Sequence, residues 1–424
     1  MDRPTEEHRD AAPHGRKGPK GVPLRLRRRG SFVLAGLGAY LLFLLLRARP
    51  GGSILDALVA WGQWGSGVVG RMASGVPIPL AELLAVLLLV RWIWGWARDG
   101  LRARRAQEGT LKPMCAGGLR VVGDLGLLVF FFYALWGFAY AQESLPERVG
   151  LDTDPLQTSE LRALTHEMIQ AANEEYLRIH GVPDAGEPTS APGGVGTLLP
   201  ALTVGWQGAA RELGISSLQR EAFAGPRPMV LGSFVRRLGI SGMYVPFTGE
   251  ALVLPDLPAV ALGKALAHEG AHQRGIAFED DANFAGFVAA SYAPEPRVRY
   301  SAYVFAQRQL MGALGVVDPE ARDVLLRQRL PGVRRDLENL RTYWRVVEGP
   351  AMEMGSRVND AYLRRQGVPE GVASYGASLT TLVRYARARD GTLLPRPEFA
   401  DGEASGGNAV MSGETDWMGG GEGP

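Results

Sequence analysis

Cysteine is almost absent from this chain. Cys115 is the one thiol in 424 residues, so no intrachain disulfide can form and no multi-cysteine zinc cluster is possible. Charge of one sign is also lacking, because the formal net charge is only +2. The basic residues gather around apolar runs instead of forming a stripe on the folded part, which gives no reason to expect nucleic acid as a partner. No internal repeat is visible. Histidine is scarce, at six residues, and that scarcity later narrows the choice of metal ligands.

Apolar residues are plentiful, at 46%, but unevenly spread. Three runs before residue 142 hold most of the long hydrophobic stretches: Ser31–Leu46, Ile78–Trp96 and Val121–Ala141. A spanning helix needs about 20 mostly apolar residues, so each run is a candidate. Trp92, Trp94, Trp96, Trp136 and Tyr140 lie near segment ends, where amphipathic rings favour the headgroup layer. Residues 1–29 carry nine Lys or Arg and the stretch from Arg98 to Arg120 carries six, against only Arg47, Arg49 and Arg71 in the loop between the first two runs. Basic flanks stay in the cytoplasm. The pattern therefore predicts a basic cytoplasmic tail (1–29), a membrane domain of three helices (30–141) and a domain outside the membrane (142–389). The first run also suits a cleaved signal peptide. No small-x-small site follows it, only Arg47-Ala48-Arg49-Pro50, so an uncleaved anchor is expected. Residues 52–72 are apolar but interrupted by glycines and suit a helix lying on the outer surface; a fourth span there would invert everything after it.

The second half reads as mainly α (α+β). Leu161, Leu164, Met168 and Ala171 have helical spacing, residues 181–198 form a Gly/Pro-rich loop, and shorter helices are expected over Gly205–Leu213 and Ser233–Leu238. Gly242–Phe247 and Glu250–Leu254 have strand composition with a Thr248-Gly249 turn between them. Pro246 makes the first an edge strand. Asp256 is expected to cap a helix from Leu257 to Arg274, ended by Gly275. Further helices are expected from Glu279, then over 297–314, 318–329, 331–366 and 372–388. The stretch from Asp390, rich in Gly, Glu and Ser, reads as disordered.

Within that capped helix lies His268-Glu269-Gly270-Ala271-His272. Positions i and i+4 share a helical face, so both imidazoles can reach one Zn2+ ion. Glu269 sits at the edge of that face and can take a proton from a metal-bound water attacking a carbonyl. A catalytic zinc also needs a third protein ligand. His8 and His14 lie in the basic tail, and His166 and His180 lie far along the chain on an ordinary amphipathic helix. A carboxylate is left, and the nearest are Glu279, Asp280 and Asp281. A helix N-terminus that uses acids to complement its dipole would also explain that trio. The run H-E-x-x-H-x-x-G resembles the metzincin signature, but its third histidine would fall at Phe278, which cannot ligate. Glu279-Asp280-Asp281-Ala282-Asn283 resembles the E-x-x-A-D helix of gluzincins, which implies Glu279 as third ligand and Asn283 as its support; Asp281 is the reserve. Tyr375, Tyr244 and Arg274 are candidates to stabilise a tetrahedral intermediate, with Tyr375 placed among the catalytic residues.

Trp136-Gly137-Phe138-Ala139-Tyr140, the stretch Ser241–Glu250, HEGAHQRGIAFEDDANF, Asp360-Ala361-Tyr362-Leu363 and Gly371–Gly376 together resemble a bacterial membrane family known as domain of unknown function 3810, over roughly residues 30–388. The resemblance implies the same topology in a bacterial inner membrane and a metallopeptidase role with a peptide or protein substrate; it supplies no known substrate. The expectation is a zinc peptidase held in the lipid bilayer. A catalytically silent metal-binding scaffold of the envelope is the alternative. An intramembrane protease is disfavoured, because Lys264 and the acidic trio flank the motif and charges are costly at that depth.

Overall fold

The computed structural model describes residues 24–48, 51–105, 107, 111–219, 225–366, 368 and 377–400. The fold is mainly α, with one small sheet. Four helices come first: α1 (Leu24–Arg47), α2 (Ser53–Ser74), α3 (Leu80–Arg105) and α4 (Leu111–Leu135). Parts of α1, α3 and α4, over Arg28–Arg47, Leu80–Arg105 and Met114–Leu135, are long and apolar enough to cross a membrane, and the chain is a membrane protein. Helices α1 and α4 run parallel: Arg29 donates to the Ala116 carbonyl near one end, and the Phe43 and Tyr133 rings meet at a tilt, 5.1 Å apart, near the other. Between them Gly36 and Gly126 let the backbones touch, for a Cβ on Gly36 would lie 2.3 Å from the Gly126 oxygen. Small residues are the usual means of close helix contact in lipid, where no hydrophobic drive pulls helices together. Helix α3 runs the other way, with Arg91 and Trp92 bonded to Asp124 and Arg120 to Asp99. Each of these carboxylates thus has a partner at a depth where an unpaired charge is expensive.

The expected third span is shorter than the apolar run. The helix stops at Leu135, and Gly137–Ala141 form a buried 3-10 turn. Gly137 lies against the Tyr133 ring too closely for any side chain, so aromatic packing, not hydropathy, sets this end. Helix α5 (Leu145–Arg148) follows, opened by a reciprocal Ser144–Glu147 capping box.

The second half packs α6 (Thr158–His180), α7 (Val195–Leu213), α9 (Ala259–Gln273), α10 (Glu279–Ser291) and α11 (Pro296–Val317) around one core. Helix α7 starts ten residues before the expected position. Leu198, Leu202, Trp206, Ala209 and Leu213 bury one continuous helical face, which outweighs the Gly/Pro signal and tolerates Pro200 inside the helix. The sheet comprises β1 (Arg227–Pro228), β2 (Gly242–Val245) and β3 (Glu250–Val253) in the order β1-β3-β2, with α8 (Gly232–Arg236) between the first two strands. Strand β2 pairs antiparallel with β3 and stands at the edge, as Pro246 requires. Asp256 does not cap α9. The helix begins after Pro258, and Asp256 accepts instead from Tyr343 and Arg236. After α12 (Pro319–Leu326), the expected helix over 331–366 is two, α13 (Pro331–Arg345) and α14 (Pro350–Arg365). Gly349, at φ 157°, and Pro350 break it, since the residue before a proline is disfavoured in the helical region. Helix α15 (Ala377–Arg387) precedes α16 (Pro397–Ala400). The disordered tail expected from Asp390 does not begin there: Leu393 is buried, and its amide and that of Arg396 donate to Glu167 and Tyr292. Residues from 401 onward lie outside the described residues.

Several contacts join the halves, two of them at the ends of the spanning helices. The fully buried Glu250 carboxylate accepts from the amides of Leu80 and Ala81, at the N-terminus of α3, and from Arg227. An anion there satisfies orphan N–H groups and meets the positive end of the helix dipole. At the ends of α1 and α4, Arg47 and Tyr133 donate to the carbonyl and side chain of Gln366.

Candidate metal centre

The centre is built by one turn between two helices. Helix α9 ends in a complete Schellman arrangement: the Gly275 amide donates to the His272 carbonyl at 2.9 Å and the Ile276 amide to Ala271 at 3.2 Å. Gly275 takes φ 90° there, a conformation in which a side chain is strained. The turn does two things. It aims the Ile276 carbonyl at His272 Nδ1, 2.7 Å away, so the ring donates from Nδ1 and turns Nε2 toward the centre. It also brings the first residue of α10, Glu279, back to the histidines. Helix α10 crosses α9 at His268, where a Cβ on Gly286 would lie 2.9 Å from the His268 amide nitrogen.

Glu279 Oε2 lies 3.1 Å from His268 Nε2 and 3.7 Å from His272 Nε2. Among the described residues, one group of three or more His, Cys, Asp or Glu side chains brings its ligand atoms together in this way: those of His268, His272 and Glu279 lie within 4.8 Å of one another. Ligands about 2.0–2.2 Å from a tetrahedral zinc ion stand little over 3 Å apart, so modest closure of this triad suits the ion. The fourth motif residue supplies an independent sign of fit. Glu269 is buried, and its Oε2 has no hydrogen-bond partner. A buried carboxylate oxygen without a partner is costly, and a water held between Glu269 and a metal would satisfy it.

Burial and mutual contact set the charges of these groups. Burial pushes Glu269 up to about 8. Burial also pushes His268 down to about 4, helped by the nearby Lys264. Burial opposes charge on His272, but its bond to Glu279 and the Glu279 charge win and raise it to about 9. Burial likewise opposes charge on Glu279, and the two histidines overcome it and hold the carboxyl well below its ordinary range.

Asp281 points elsewhere. Its Oδ2 accepts from the Leu145 amide at 2.7 Å, and burial raises its pKa well above the ordinary value. The acidic trio therefore divides its work, with Glu279 at the histidines and Asp281 tying α10 to the start of α5. Asn283 reaches the centre indirectly: its Oδ1 accepts from Lys264 Nζ, which lies 3.5 Å from His268 Nδ1 and over the Phe305 ring. Burial lowers Lys264 to about 7. Arg274 turns away, donating to the Leu218 and Gly270 carbonyls and stacking on Trp206. Tyr244 is near, its ring 6.5 Å from that of His272, and burial pushes it up to about 12. Tyr375 lies outside the described residues. His166 and His180 bond Gln328 and Thr189, away from the centre.

Sequence reasoning missed several neighbours. Trp136, the first residue after α4, stands edge-on to His272 at 5.9 Å. Tyr140 and Tyr362 share a hydroxyl–hydroxyl bond of 3.1 Å, and the Tyr140 ring meets Phe278, next to Glu279, at 5.6 Å. Lys264 was legible in principle, since i and i+4 share a face with His268. The tyrosine pair, 222 positions apart, carries no local signal. On the other flank, Gly242 of β2 lies against Glu269; a Cβ there would come within 2.5 Å of Glu269 Oε1. An edge strand thus passes beside the proposed base.

No curated protein matches the chain, and no solved structure does either. A family model described as "Protein of unknown function (DUF3810)" matches residues 61–383, a span that holds the HEGAH helix, the edge strand and both tyrosine-bearing segments. The chain belongs to that family.

Proposed function

We propose that the protein is a membrane-anchored zinc metallopeptidase that hydrolyses peptide bonds outside the cytoplasmic membrane. The observation that carries this reading is the partnerless Oε2 of buried Glu269 beside the His268, His272 and Glu279 donors. Bound zinc would polarise a scissile carbonyl and acidify water. Glu269 takes the proton of the attacking water and passes it to the leaving amine. His272 is held in its ligating tautomer by the Ile276 carbonyl. Strand β2, with one edge free of a strand partner among the described residues, offers main-chain bonds to an extended peptide, and Gly242 brings that peptide close to Glu269. Among the described residues, Arg28 and Arg29 lie near the start of α1, Arg98–Arg105 at the end of α3 and Arg120 in the first half of α4, the ends opposite those bonded to the second half. That supports an N-terminus in the cytoplasm of a bacterial cell and a catalytic half outside its inner membrane.

A silent metal-binding scaffold is the second reading. It is favoured by the enclosure of the centre, where Trp136 and Tyr244 crowd His272, because structural zinc sites are closed. One experiment separates the two. Full-length protein purified in detergent should hold one zinc per chain, and His268→Ala and Glu279→Ala should lose it. Glu269→Gln should keep the zinc while hydrolysis of a peptide library falls by about 100- to 10,000-fold. A wild type without stoichiometric zinc sinks both readings, and a wild type that binds zinc but cleaves nothing leaves the scaffold.

A further inference from the structure

Helix α2 carries three distinct sides. Leu55, Val59, Gly62, Ser66, Gly70 and Ala73 are buried against the protein. Asp56, Gln63, Arg71 and Ser74 share a second side by helical spacing. The third is apolar: Ile54, Leu58, Trp61, Val68 and Met72 recur at steps of three, four and seven; Leu58 and Val68 are half-buried, and Ile54, Trp61 and Met72 are 67%, 59% and 70% exposed. Trp64, also 59% exposed, lies beside Trp61 with ring centroids 5.1 Å apart. Water does not favour such a face.

The direction of α2 follows from what it touches. A spanning helix would lie along α4 throughout, as α1 and α3 do. The closest approaches of α2 to α4 fall on the last turn of α4, where a Cβ on Gly62 would strike the Leu135 and Ala134 carbonyls and one on Gly65 would meet the Leu135 side chain. It then leaves the bundle. Gly70 lies against Gly249 in the β2–β3 turn, and the Ala73 carbonyl accepts from Arg227. Its neighbours in sequence are the last residues of α1 and the first of α3. It therefore lies across the end of the spanning bundle, and exposed apolar residues continue along the chain from Leu41 and Leu45 of α1 through Ile54, Trp61 and Met72 to Ile78, just before α3.

We infer that α2 is an interfacial helix whose Ile54–Trp61–Met72 face is seated in the headgroup and upper acyl layer of the outer leaflet. Continuity with the spanning surface selects lipid as the occupant. A side-by-side tryptophan pair suits that layer, and the polar strip gives the helix a water-facing edge. The consequence is positional. Val59, Ala60 and Gln63 form one wall of a cleft whose other wall includes Gly275 and Ile276, the turn that orients His272. The turn that orients His272 then stands ~10 Å, one helix diameter, from the lipid boundary. This inference does not rest on the peptidase reading.

The test uses nitroxide labels at positions 54, 61, 68 and 72, with control labels at 56 and 74, each in full-length Cys115→Ser protein. The protein is reconstituted in phosphatidylcholine–phosphatidylglycerol vesicles. The ratio of oxygen to water-soluble nickel-chelate accessibility should be several-fold higher at the four apolar positions than at the controls. Equal ratios at all six would show a water-facing helix and overturn the inference. High ratios at the controls as well would show a span, and dipolar broadening between labels with low access to both reagents would show a second copy on this face; either overturns it. Labels at 54 and 72 replace exposed side chains and keep the test valid if Trp61→Cys does not fold.

Discussion

At the residue scale, the His272–Glu279 pair governs how the centre takes up a cation. In the metal-free protein His272 is raised to about 9 and Glu279 is held well below its ordinary range, so the pair is ionic at neutral pH. The ion-pair contribution is full below the ordinary histidine value and fades as pH rises through about 9. Zinc must displace the His272 proton. Titration with zinc at pH 7 in buffers of different ionisation enthalpy should therefore show release of at least one proton per ion, and affinity should fall as pH is lowered. Zinc uptake without proton release contradicts this charge state. Asp281 gives a complementary expectation. Because burial pushes its carboxyl well above the ordinary range and disfavours the charged form, Asp281→Asn should cost little in thermal unfolding. Asp281→Ala leaves the Leu145 amide unpaired and should cost about 1–3 kcal/mol. Both should keep wild-type zinc content, and loss of zinc in the Asn variant would mean that Asp281 ligates after all.

At the element scale, the α9–α10 turn does more than reverse the chain. Its glycine sits at φ 90°, and a Cβ there would also strike the Gln63 amide of α2. Gly275→Ala should cost about 1–2 kcal/mol for the left-handed conformation alone, plus the collision. Since the same turn supplies the Ile276 carbonyl, zinc affinity should weaken even though no ligand has changed. Calorimetry together with zinc titration checks both effects; an unchanged affinity would show that the carbonyl contact is dispensable. The ends of the helices also show where local signals fail. Thr248-Gly249, Pro246 and Gly275 mark turn, edge and cap because each restricts or frees its own backbone. The early start of α7 and the early end of α4 depend on which residues pack together, and no window of sequence contains that information.

At the scale of the whole molecule, the second half is bonded to the spanning helices, not hung from them. The Glu250 carboxylate carries much of this junction, for it meets both Arg227 and two amides of α3. Glu250→Ala leaves the largely buried Arg227 cation with carbonyl partners but no counter-charge and should cost about 3 kcal/mol. The reconstituted protein should melt at a lower temperature and become sensitive to protease near residues 76–80. An unchanged melting temperature would show that the Gln366 contacts suffice.

What the sequence determined by itself was whatever depends on near neighbours. Spanning runs follow from length and apolar content, the shared face of His268 and His272 from helical spacing, and the expectation of a carboxylate beside them from the shortage of histidine. Tertiary structure decided the rest. It placed Glu279 at the histidines and turned Asp281 away, because the direction of α10 depends on the crossing at Gly286. It brought Tyr140 and Tyr362 together across the length of the chain, and it laid α2 across the bundle beside the HEGAH helix. These are consequences of long-range packing, in which a side chain's partners are set by how whole helices dock and not by the residues beside it.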